Sequence, residues 1–180
     1  MSVSNKIKQE LKRNDVVIYV ISTTNYGDCI KDLIGVVTKM NDKICYTTLN
    51  KPYSTMISIL EKAGIDTTKI IFIDSASGGF KNPDNKPNVI FISSPKALTD
   101  MNIQINKVID NEKINDLVFD SLSTLMAYEE ESTIIKFTHS IISKIRTKGI
   151  KVVFTCLKDD MKGELMKDLS MFVDKIIEVK

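Results

Sequence analysis

One histidine, three cysteines and a net charge of only +2 each remove a class of function from this chain. His139 has no second histidine with which to build a metal site, and no Ser-His-Asp arrangement is readable around it. It stands among Phe137, Ile141 and Ile142 and reads as a core-edge or surface residue. Cys29, Cys45 and Cys156 are odd in number and widely spaced, and they lie in apolar stretches without a C-x-x-C pair. That spacing argues against structural zinc, so no metal centre is expected. Buried thiols suit a reducing compartment, so a cytoplasmic location is expected. The lysines are scattered among acids, and without a basic stripe nucleic acid is not an expected partner. No run is long and apolar enough to span a membrane, and the polar stretch from Met1 to Asp15 has no signal-peptide core.

What is present is alternation. Short β-rich runs take turns with helical patterns along all 180 residues, which predicts an α/β fold with a mostly parallel, doubly wound sheet. Strands are expected at Asp15–Ile21, Ile44–Thr48, Lys69–Asp74, Val89–Ser93, Leu117–Asp120, Ile150–Thr155 and Phe172–Val179. Residues 1–14 form a leading helix in this reading, because Ile7 and Leu11 sit one turn apart. Further helices are expected over Gly27–Met40, over Tyr53–Ala63 with Gly64 as a stop, and from Pro95 through Ile109. A long one over Glu129–Lys148 is acidic at its start, basic at its end and stopped by Gly149. Ser75–Asn88, with Gly78, Gly79, Pro83 and Pro87, is the one clear irregular stretch and reads as a mobile surface loop.

The most informative segment is Val17–Ile30: a buried strand, a small polar turn, one glycine and a helix start. This is the layout of a phosphate-binding loop, whose working pattern is G-x-x-x-x-G-K-[ST]. Ser22 stands at the first glycine, followed by Thr23, Thr24, Asn25 and Tyr26; Gly27 stands at the second glycine, Asp28 at the lysine and Cys29 at the Ser/Thr. The ordinary alternative is a plain strand-to-helix turn, since Asn25 and Gly27 are common turn residues.

Four pieces in order resemble the KaiC-like branch of the RecA-type P-loop ATPases. They are the strand-loop-helix around Gly27, the run Ser93-Ser94-Pro95-Lys96-Ala97-Leu98-Thr99-Asp100, the run Leu117-Val118-Phe119-Asp120-Ser121-Leu122-Ser123-Thr124-Leu125, and the ending from Leu169 to Val179. The third looks like a Walker B strand, and the fourth is similar to the closing aspartate and apolar strand of these domains. The resemblance implies a three-layer RecA-like fold and a single domain over residues 1–180. Small relatives of this kind are frequent in archaea, and the Lys-, Ile- and Asn-rich composition is compatible with that source.

It also implies that this Walker A loop is degenerate. Asp28 has the wrong sign for a phosphate ligand, and Cys29 is a poor ligand for a hard cation. The positions matching the family's catalytic glutamate are Asn50 and Lys51, and neither is a carboxylate base. Only Asp120, with Ser121 after it, keeps its family role available; its ordinary alternative is a capping aspartate. One charge term at about 4 Å is worth about 4 kcal/mol at an effective dielectric of about 20, nearly a thousandfold in affinity. Mg-ATP is therefore not favoured as a cofactor and no catalytic residue is assigned. The carboxylate of Asp28 is expected to stand in for phosphate over the helix amides, and Asp28→Lys with Cys29→Thr is expected to raise ATP affinity. Asp74 is expected to be a structural end-of-strand acid, and Lys158–Lys167 a solvated loop. The expected role is that of a non-catalytic pseudo-ATPase acting through a protein partner or self-association. The alternatives left open are a nucleotide-binding ATPase in signalling or DNA recombination and repair, and a small-ligand binder using the same crevice.

Overall fold

Strands buried along their whole length, such as Val16–Ile21 and Ile70–Asp74, have to be covered on both faces. The computed structural model describes residues 3–78 and 87–178. Along the chain run α1 (Val3–Arg13), β1 (Val16–Ile21), α2 (Tyr26–Met40), β2 (Ile44–Thr48), α3 (Tyr53–Lys62), β3 (Ile70–Asp74) and β4 (Val89–Phe91). Then come α4 (Leu98–Asn111), β5 (Asp116–Asp120), α5 (Leu122–Met126), α6 (Glu131–Lys148), β6 (Lys151–Leu157), α7 (Glu164–Leu169) and β7 (Lys175–Glu178). The seven strands form one all-parallel sheet in the order β4-β3-β2-β5-β6-β1-β7.

Side-chain alternation sorts the core into two halves. Val17, Tyr19 and Ile21 of β1 pack with Tyr46, Phe72 and Val118 under α1, α2 and α3. Val16, Ile18 and Val20 pack with Cys45, Leu117, Phe119 and Phe154 under α4, α5, α6 and α7. The result is a three-layer α/β/α fold, consistent with the RecA-like class.

Some boundaries differ from the sequence reading. Helix α2 begins at Tyr26, one residue early. Pro95 lies in a turn closed by the Ala97 N–H on the Ser94 carbonyl at 3.1 Å, so α4 starts only at Leu98. Helix α6 starts at Glu131 because the Glu129 N–H still bonds back to Leu125 at 2.9 Å. Strand β7 starts at Lys175, since the Phe172 N–H closes α7 on Leu169. The short helices α5 and α7 carry too few residues to announce a helical period. Of the expected irregular stretch Ser75–Asn88, residues 79–86 lie outside the described residues, as do residues 1–2 of the leading segment and the end of the last expected strand.

Candidate functional site at the carboxyl edge of the sheet

Strands β2 and β5 are neighbours, with Thr48 opposite Asp120. Their onward connections part: β2 leads to β3 on one side, and β5 leads to β6 on the other. Such a reversal leaves a crevice outside the carboxyl ends of the two strands. The loop after β2 brings Asn50 and Lys51 there, β5 brings Asp120 and Ser121, and the first turn of α2 brings Tyr26.

Asp120 is the centre of this site. Its position in β5 turns it to the α2 face, where it is 2% exposed. Tyr46 Oη donates to its Oδ2 at 2.6 Å and Thr155 Oγ1 to its Oδ1 at 2.7 Å. Tyr26 Oη donates to the same Oδ1. Three hydroxyls from β2, β6 and α2 thus take both carboxylate oxygens. Burial pushes the Asp120 carboxyl above the ordinary range, and the hydroxyls and Lys51 pull it partly back. Burial first, and the Asp120 charge second, push the phenols of Tyr26 and Tyr46 upward. The peptide between Asp120 and Ser121 is cis.

A second tier closes over the first. Asn50 Nδ2 donates to Tyr26 Oη at 2.8 Å and to Ser121 Oγ at 3.3 Å, while Thr124 Oγ1 donates to Asn50 Oδ1. Ser121 caps α5 by accepting from the Thr124 N–H at 3.2 Å. The ammonium of Lys51 lies 5.9 Å from the centre of the Tyr26 ring.

The structure therefore brings together Tyr26, Asn50, Lys51, Asp120 and Ser121, and leaves the rest of the loop outside. Ser22 and Thr24 bond each other at 2.9 Å through their hydroxyls, and Thr23 reaches Asp159 at 3.4 Å. Thr23–Asn25 form one 3-10 turn running directly into α2, and neither Ser22 nor Asn25 caps with its side chain. Cys29 is half-buried beside Tyr19. Gly27 meets no crowding: an added Cβ would lie 4.0 Å from Lys51 Nζ and touch nothing nearer.

Three expectations are corrected here. Asp28 does not stand in for phosphate: its side chain is 81% exposed, faces the groove beside α1 and pairs with Lys31 at 2.6 Å. That ion pair holds its carboxyl below the ordinary range. For the same reason Asp28→Lys with Cys29→Thr does not restore a phosphate lysine, because position 28 points away from Asp120. Asp120 is also not the capping aspartate of the ordinary alternative, since Ser121 caps α5 and Asp120 takes side-chain hydroxyls. Asp74 is structural: it accepts from the amides of Tyr53, Ala76 and Ser77 and from the Ser77 hydroxyl. The expected loop Lys158–Lys167 is instead a 3-10 helix over Lys158–Lys162 followed by α7, whose Leu165 and Met166 are buried.

Both Asp120 oxygens accept hydroxyls of the chain itself, and position 28 turns an acid to solvent rather than a lysine toward Asp120. Sequence reasoning passed over Tyr46, Thr124 and Thr155. The missed signal is a hydroxyl inside an apolar strand: Tyr46 and Thr155 interrupt β2 and β6 beside Asp120.

No curated protein matches this chain. The model of the family of unknown function DUF7504 matches residues 26–179, from the tyrosine on Asp120 to the last strand, and the chain belongs to that family.

Proposed function

We propose that this protein is a non-catalytic member of the KaiC/RecA-like class, acting through protein contacts in a regulatory role. One observation carries the reading. The carboxylate that would hold magnesium is covered by hydroxyls of the chain itself, with Tyr26 seated on it from the helix that would follow a phosphate loop. The loss is coordinated. The phosphate lysine is replaced by an outward Asp28, and the catalytic acid by Asn50, which is engaged with Tyr26 and Ser121. An amide in that place cannot take a proton from water, so hydrolysis lacks its base as well as its metal. What the crevice keeps is a polar surface at the sheet edge, rimmed by exposed Thr23, Thr24, Asn25 and Asn50.

Calorimetry with Mg-ATP and a phosphate-release assay test the reading. The expected result is no measurable heat and no turnover, in wild type and in Asp28→Lys with Cys29→Thr alike. Magnesium-dependent turnover that disappears in Asp120→Ala would instead make the chain a working nucleotide enzyme.

A further inference from the structure

We propose that Tyr26 is a latch that holds the first turn of α2 down on the β2–β5 edge, with Lys51 poised to replace it on Asp120. Of the three hydroxyls on Asp120, those of Tyr46 and Thr155 come from β2 and β6, the strands paired with β5, so their backbones are held in the sheet. The third comes from a helix end. That helix end has little else to secure it: Ser22 and Asn25 make no side-chain cap, the Ser22 and Thr24 hydroxyls are spent on each other, and Thr23 reaches Asp159 only at 3.4 Å across the surface. The phenol thus ties this turn to the buried edge by a hydrogen bond, beside the packing of Cys29 and Ile30 on the core.

Lys51 supplies the other position. Its ammonium lies over the Tyr26 ring and makes no ion pair among the described residues. If the phenol withdraws, Asp120 Oδ1 loses a donor, and Lys51, which lies over the phenol and whose charge acts on that carboxyl, is the cation at hand. A carboxylate served by either of two donors gives two discrete arrangements of the edge, which is what a switch requires. The latch is separate from the non-catalytic reading, and its test contains no nucleotide.

Hydrogen exchange compares wild type with Tyr26→Phe and Tyr46→Phe. Tyr26→Phe is expected to speed exchange over residues 22–30 about tenfold relative to the rest of the chain, since a hydrogen bond to a charged group is lost. Tyr46→Phe removes a hydroxyl from the same carboxylate but from within the sheet, and is expected to leave residues 22–30 no faster than their surroundings. In urea unfolding, Lys51→Met is expected to cost more in the Tyr26→Phe background than in wild type, because only there does Asp120 depend on it. Uniform or unchanged exchange in Tyr26→Phe, the same local pattern in Tyr46→Phe, or strictly additive effects of the Tyr26 and Lys51 changes would overturn the latch.

Discussion

A carboxylate that is 2% exposed survives in a protein interior only if its lone pairs are met, and Asp120 is met three times. Those three donors account for the burial of this carboxylate from within the chain. Gly27 makes the opposite point. In a working phosphate loop a glycine lets the backbone approach the ligand, but here the residue sits in the first turn of α2 with open space where a Cβ would go. Alanine at this position gives up nothing and narrows the unfolded ensemble. Gly27→Ala should therefore stabilise the fold by about 0.4–1 kcal/mol in urea unfolding. A destabilised variant would show that the turn needs glycine after all.

At the scale of elements, helix ends are settled by single residues. Gly149 ends α6 in the left-handed region at φ 65°, and its amide bonds back to Arg146. A Cβ there meets no atom, so the cost of Gly149→Ala is purely conformational, about 1–2 kcal/mol, read from the shift in urea midpoint at constant slope. Helix α3 begins after Pro52, which has no side chain to cap with; buried Asp74 reaches over from β3 and accepts the Tyr53 N–H at 2.8 Å. A cap borrowed from a neighbouring strand ties the start of α3 to the end of β3 beside the crevice.

Across the whole molecule, Asp174 joins three distant parts of the chain. Its carboxylate accepts from the amides of Asp15 at 3.0 Å and Val16 at 2.9 Å and pairs with Arg146 at 3.0 Å. Burial alone would raise it, but these amides and the guanidinium outweigh burial and hold it below the ordinary range. The sign follows. A depressed folded value contributes stability that is present above the unfolded value of about 4 and is lost as pH falls through the folded one. Asp116 and Asp120, raised by burial, act with the opposite sign and lose stability as pH rises from the ordinary carboxylate range through their raised values. Asp174→Asn should cost about 1–2 kcal/mol at neutral pH, and its stability should fall less steeply toward acid than that of wild type. Urea unfolding at a series of pH values from about 2 to 7 checks both, and an unchanged acid slope would remove Asp174 from the account.

Sequence alone determined the architecture, because a parallel strand buried on both faces must be apolar throughout and a helix must repeat its apolar stripe. Both patterns are local and survive without knowledge of partners. The family resemblance also named Tyr26, as one residue of the loop Ser22–Cys29, and Asn50, Lys51, Asp120 and Ser121 as matches to family positions. Neither determined where those side chains point or what they meet. Asp28 sits two residues after Tyr26 in α2, yet it turns to solvent and Tyr26 to the sheet, because two helical residues turn the side chain to nearly the opposite face. Tyr46 and Thr155 lie far from Asp120 in sequence and became its partners only when β2, β5 and β6 were laid side by side. Long-range register decided that the carboxylate would be satisfied from within, because a hydrogen bond depends on positions in space that no spacing along the chain fixes.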